Sequence, residues 1–138
     1  MLGAANPFPL PHTLERELER VHAVWDGLRR AGNAIPFWDD LRPAALATQA
    51  GSIILLDVFE KPERFRFSLA DAKLVPAQEA ALTGQFIDEI DLDDGFAFLR
   101  AQASATVEAR APTFHRGRLL LPMWGDGRVS LLLGAVHA

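Results

Sequence analysis

Ser52-Ile53-Ile54-Leu55-Leu56-Asp57-Val58-Phe59 is apolar almost throughout, rich in β-branched side chains and free of proline. Such a run reads as a central strand covered on both faces. Glu60-Lys61-Pro62-Glu63 follows as a turn, because proline presets one backbone angle there. Beyond it, Phe65-Arg66-Phe67-Ser68-Leu69 alternates apolar and polar residues, the pattern of a strand with one buried face. Two strands joined by so short a turn form an antiparallel hairpin.

A second hairpin is predicted downstream. Leu119-Leu120-Leu121-Pro122-Met123-Trp124 and Val129 to Val136 flank Gly125-Asp126-Gly127. Asp-Gly between apolar runs accepts the positive φ angles of a tight hairpin turn. Pro122 donates no amide hydrogen, so it belongs where no ladder bond is needed, or at a bulge. Between the hairpins, residues 71–93 read as broken helix, interrupted at Pro76 and ended at Gly84, with another turn over Phe86 to Ile90. Asp94 is expected to cap a longer helix over 95–110, with Phe96, Leu99, Ala103 and Val107 facing inward. Pro112 ends it. The short stretch from there to Arg118 leaves room for only a rudimentary third strand.

Upstream, residues 13–31 predict an amphipathic helix, capped by Thr13 and ended by Gly32 or Asn33. Leu14, Leu18, Val21, Trp25 and Leu28 recur at spacings of four, three, four and three, which places them on one stripe. A short helix is expected over 40–50. Pro7, Pro9 and Pro11 make residues 1–12 an extended tail. Residues 13–138 then form a single domain.

Composition narrows the function. The chain has 138 residues, 49% of them hydrophobic, which suits one well-filled core. A net charge of −4 with scattered basic residues argues against nucleic acid. No apolar run is long enough to span a membrane, no signal peptide is evident, and cysteine is absent. A cytoplasmic, disulfide-free protein is the expectation.

Taken in order, several segments carry a family resemblance. These are Trp25-Asp26-Gly27-Leu28-Arg29, Leu55-Leu56-Asp57-Val58, Arg64-Phe65-Arg66-Phe67-Ser68-Leu69-Ala70, Leu82-Thr83-Gly84, Arg118 to Met123, and Leu132-Leu133-Gly134. Over about residues 20–136 the chain resembles a bacterial PAS-like family of small, often stand-alone proteins. The resemblance implies an α+β fold: a five-stranded antiparallel sheet with helices packed on one face and an N-terminal helix. It also implies a sensory or signalling role without catalysis, with output passing to a downstream signalling protein. A small-molecule pocket is expected between sheet and middle helices, walled by Phe67, Leu74, Phe86, Phe96, Leu99, Ala103, Leu121, Met123 and Leu132. The same residues are simply core if no ligand exists.

Cofactor chemistry finds little footing. The histidines are His12, His22, His115 and His137, and none lies on the helix that carries the haem ligand in PAS haem sensors. Cysteinyl-flavin photochemistry needs a thiol that the chain lacks. Asp88, Glu89, Asp91, Asp93 and Asp94 form an acidic run, but a calcium loop starting at Glu89 would need Gly where Asp94 stands and Glu where Arg100 stands. No metal site, catalytic residue or phosphate loop is assigned. A small α+β isomerase-like enzyme is the weaker alternative, because tyrosine is absent and no histidine falls on the pocket elements. The 4-3-4-3 stripe of the first helix has two readings: core of its own domain, or the seam of a homodimer. The second is favoured, which makes a ligand-free dimerisation or adaptor module the other functional alternative.

Overall fold

The apolar run Ser52–Phe59 forms strand β1, flanked on both sides by antiparallel partners. The computed structural model describes residues 7–29, 35–37, 52–70, 84–89 and 98–136. Its other elements are helix α1 (Arg16–Gly27), β2 (Arg64–Ala70), a 3-10 turn (Ile87–Glu89), α2 (Leu99–Ala109), β3 (Thr113–His115), β4 (Arg118–Gly125) and β5 (Arg128–Val136). The five strands make one antiparallel sheet in the order β2-β1-β5-β4-β3. Both expected hairpins are present, and they join through β1 and β5. The expected helix over 40–50 lies outside the described residues, as does the broken helix over 71–93 except at 84–89, where the 3-10 turn falls within the turn expected over Phe86 to Ile90.

Alternation along each strand sorts the side chains into two cores. Ile53, Leu55, Leu119, Leu121, Met123, Leu133 and Ala135 turn to one face, where Leu18, Val21 and Trp25 of α1 meet them. Ile54, Leu56, Val58, Phe65, Phe67, Leu120, Val129 and Leu132 turn to the other, against Leu99 and Ala103 of α2. One described helix therefore covers each face.

The stripe of α1 is core. Leu18 and Val21 are 0% exposed and Trp25 is 3% exposed within a single chain. At Leu18, Val21 and Trp25 the expected dimer seam is thus filled by the chain's own sheet. Helix limits also differ from expectation. Glu15, not Thr13, stands at the N-cap, without a side-chain bond to the exposed amides, and Leu14 packs on the core from outside the helix. At α2, Phe98 takes the N-cap position in the left-handed region (φ 62°), so the described helix starts at Leu99; the expected cap Asp94 and residues 95–97 lie outside the described residues.

Tight turns close the sheet. Asp126 and Gly127 both have positive φ (53° and 77°), the two-residue hairpin turn that Asp-Gly favours. Arg116 and Gly117 (φ 44° and 81°) repeat it between β3 and β4, which is how so short a stretch holds a three-residue strand. Gly134 sits opposite Ile54 of β1 and Leu120 of β4. A Cβ there would lie 2.5 Å from Ile54 Cγ1 and 3.1 Å from Leu120 Cδ2, so the sheet centre has no room for a side chain.

Trp25 also has a polar task. Its indole Nε1 donates to the Pro122 carbonyl at 2.8 Å. A strand residue's N–H and C=O point to the same side, so Pro122 turns both groups away from β5. The missing N–H falls on the outer edge of β4, past the end of β3 and before Trp124, whose amide donates to the Pro36 carbonyl.

Two outcomes follow from this packing. Leu18→Asp with Val21→Asp places two carboxylates in a dry core, so circular dichroism should show loss of the fold; a folded monomer would mean the stripe is an intermolecular seam. Trp25→Phe keeps the apolar contact but strands a buried carbonyl, so chemical denaturation should show a loss of about 1–3 kcal/mol.

Candidate functional site

The expected pocket residues do not share one site. Phe67, Leu99, Ala103 and Leu132 do meet on the α2 face, each at most 1% exposed, packed against Ile54, Leu56 and Leu120. Leu121 and Met123 lie on the opposite face, under α1. Sheet alternation puts the even-numbered neighbour Leu120 toward α2 instead. Phe86 bridges to Arg66 outside β2 and stacks on Phe59 with ring centroids 5.3 Å apart, so it belongs to the sheet edge. Leu74 and Phe96 lie outside the described residues.

Beside that core, α2 carries two buried polar residues that its sequence disguises as an outer face. Gln102 and Thr106 are 0% exposed, as is Thr113 of β3. Gln102 Nε2 donates to Thr113 Oγ1 at 3.1 Å. Thr106 Oγ1 donates to the Gln102 carbonyl at 2.8 Å. Thr113 is therefore the donor in the 2.6 Å bond between the two threonine hydroxyls. Arg118 Nε donates to Gln102 Oε1 at 2.7 Å, and burial pushes the Arg118 pKa down to about 10. The cluster is closed and satisfied, which suits a structural clamp between α2 and the β3–β4 hairpin.

His115 lies next to it, edge-on to Phe8 and to Phe98, each at a centroid distance of 5.4 Å. Its Nε2 is buried without a hydrogen-bond partner. Burial first, then the charges of Arg118 and Arg116, hold its pKa below the usual 6.5. Phe8 is brought there by its own carbonyl, which accepts from the Phe114 amide at 3.0 Å. Part of the expected tail is thus docked along β3.

An open cleft among the described residues lies elsewhere. A cleft of about 530 Å³ lies over β1, β2 and β5, on the face that α1 shares. Leu55, Phe59 and Leu131 give it an apolar floor, while Asp57, Arg66, Ser68 and Ser130 supply polar groups. α1 lies against β4 and β5, so it stops short of this end. Asp57 and Arg66 are directly opposite in register, with Arg66 Nη2 2.9 Å from Asp57 Oδ2. They keep 24% and 40% of their side-chain surface exposed. The Arg66 guanidinium lies 4.9 Å from the Phe59 ring centre and 5.9 Å from that of Phe86, a cation–π setting.

None of these cleft residues was singled out as a site from sequence, although a signal existed. Asp57 interrupts the apolar run of β1, and the short turn at 60–63 places it opposite Arg66. The acidic run behaves as a solvated edge where it is described. Asp88 and Glu89 pair with Arg64 at 3.0 and 3.2 Å, and the Arg64 hydrogen bond lowers the Asp88 pKa. Among the described residues no cluster suits a metal ion, and no helix is long and apolar enough to cross a membrane.

No protein-family model, curated protein or solved structure matches this chain.

The lowered His115 pKa fixes the sign of a pH effect. Below 6.5 the unfolded chain takes up a proton that the folded chain resists. The stability from neutral His115 is whole above 6.5 and drains away as pH falls through the lowered value. Thermal melts from about pH 8 to about pH 5 should therefore show a decline in the wild type that His115→Phe flattens. Parallel curves would contradict it.

Proposed function

We propose that this chain is a PAS-like sensory domain that acts by binding a small molecule on its sheet and catalyses no reaction. The observation that carries the binding role is the cleft of about 530 Å³, with its apolar floor beside a half-exposed ion pair. Its volume lies in the range of small-molecule sites, and a few polar groups over apolar walls are what such sites use for orientation and affinity. The described lining holds no histidine. It offers a ligand charge, hydrogen bonds and apolar contact.

The family reading is supported by the two hairpins joining through β1 and β5 in one antiparallel layer, the arrangement the resemblance implies. The described residues of the expected pocket under α2 are buried core, whereas the opposite face carries the open cleft, which favours that face as the site. Signalling then needs a ligand with different affinity for two states of the protein. Bound across β1, β2 and β5, it would touch strands from both hairpins and bias how they sit together.

Ser68 is exposed at the rim of the cleft, so Ser68→Trp should fill it while leaving the core intact. A thermal-shift screen of small metabolites should find compounds that raise the Tm of the wild type and not of this variant. Ligand at about 100 times its Kd adds about 2.7 kcal/mol of stability. A library with no hit, or hits shared equally by the variant, would remove this reading.

A further inference from the structure

We propose that the cleft is built for a zwitterion: an α-amino acid with a large apolar side chain. This rests on the cleft being the binding site, and names what enters it. The deciding geometry is the form of the Asp57–Arg66 pair. Arg66 sends both Nε (3.1 Å) and Nη2 (2.9 Å) to the same oxygen, Asp57 Oδ2. A two-pronged fork would have used both carboxylate oxygens. Here Asp57 Oδ1 and Arg66 Nη1 take no hydrogen bond among the described residues. The pair therefore presents a spare anionic acceptor on one partner and a spare cationic donor on the other.

Charge decides which ligand fits. Asp57, Asp126, Arg66 and Arg128 are the charged residues of the described lining, so that lining carries no net charge. Arg128 is engaged already, donating to the Val58 and Val129 carbonyls at 2.9 and 3.2 Å and pairing with Glu60 at 3.3 Å. Arg66 is the lining cation whose spare donor belongs to a group paired with a carboxylate that also has a spare oxygen. A lone carboxylate on Arg66 would sit beside the Asp57 charge, and a lone ammonium on Asp57 would sit beside the guanidinium. Attraction and repulsion would nearly cancel in either case. A ligand with both charges on one carbon satisfies both groups at once: its carboxylate takes the Arg66 N–H and its ammonium donates to Asp57 Oδ1.

The rest of the site suits the other end of such a molecule. Leu55, Phe59 and Leu131 offer an apolar surface next to the pair, and the volume admits an aromatic or long aliphatic side chain. Phe59 and Phe86 steady the guanidinium before any ligand arrives, which lowers the ordering cost of binding.

The test uses the full chain and four probes in isothermal titration: L-phenylalanine, 3-phenylpropanoate, 2-phenylethylamine and glycine. The first three share a ring and differ in their charges, and glycine has both charges but no apolar body. Phenylalanine should bind at least about tenfold more tightly than each of the others. Arg66→Gln should erase its advantage over the amine, and Asp57→Asn its advantage over the acid. The wild-type comparison stands even if a variant fails to fold. A single-charge analogue binding as well as phenylalanine overturns the proposal, and so does no binding of phenylalanine. If phenylalanine fails while some other compound gives a shift that Ser68→Trp abolishes, the zwitterion is wrong and the binding site remains.

Discussion

β1 and β5 lie side by side at the centre of the sheet, and their pairing from Ser52↔Val136 to Asp57↔Leu131 holds the two hairpins together. Each of these strands is needed on both faces. Ile53 and Leu55 close the core under α1, while Ile54 and Leu56 close the one under α2. A one-residue slip between them would exchange the two sets. Gly134 helps fix the register, because the space a side chain would need there is taken by Ile54 and Leu120. A larger residue there would have to displace the Ile54 side chain and press on that of Leu120.

With the centre fixed, the edges become the remaining hazard, since an open strand edge invites pairing with another chain. Here each edge is partly covered by short pieces of chain. Gly84 and Gln85 exchange backbone hydrogen bonds with Phe67 outside β2, and the Phe8 carbonyl meets the Phe114 amide outside β3. At Pro122 the edge has no amide to offer, and the carbonyl left over is taken by Trp25. One side chain of α1 thus fills a core position and completes an edge.

Local chemistry made much of this legible. The Asp126-Gly127 turn, the limits of β1 and the stripe on α1 are each set by neighbours in sequence. What could not be read was phase. Leu119 to Met123 is apolar at almost every position because β4 is covered on both faces, and a continuous apolar run carries no period-2 signal. Sequence therefore groups Leu121 and Met123 with Phe67, though they lie on the opposite side of the sheet. The same limit hid the partner of the α1 stripe, since spacing shows that a face must be buried but not against what. Gln102 and Thr106 were missed for a different reason: polar side chains at helical spacing look like a solvated face unless their partners, here Thr113 and Arg118, are known.

Asp57 is the residue that packing alone does not explain. Along β1 the α1-side positions run Ile53, Leu55, Asp57, Phe59, and the change to a charge comes where α1 no longer reaches. Twelve residues at about 1.5 Å each make α1 about 18 Å long, and it lies mainly against β4 and β5. A sheet face beyond the reach of α1 could have been made safe with threonine or lysine. Instead it carries an opposed acid and base that share a single oxygen, over leucine and phenylalanine. A cross-strand ion pair at this exposure adds little stability, on the order of 0.2–1 kcal/mol. Two apolar or two hydroxyl side chains would hold the strands as well. The pair is better accounted for by its unused donor and acceptor, which give the wet end of the sheet a direction and a polarity that a plain surface would lack.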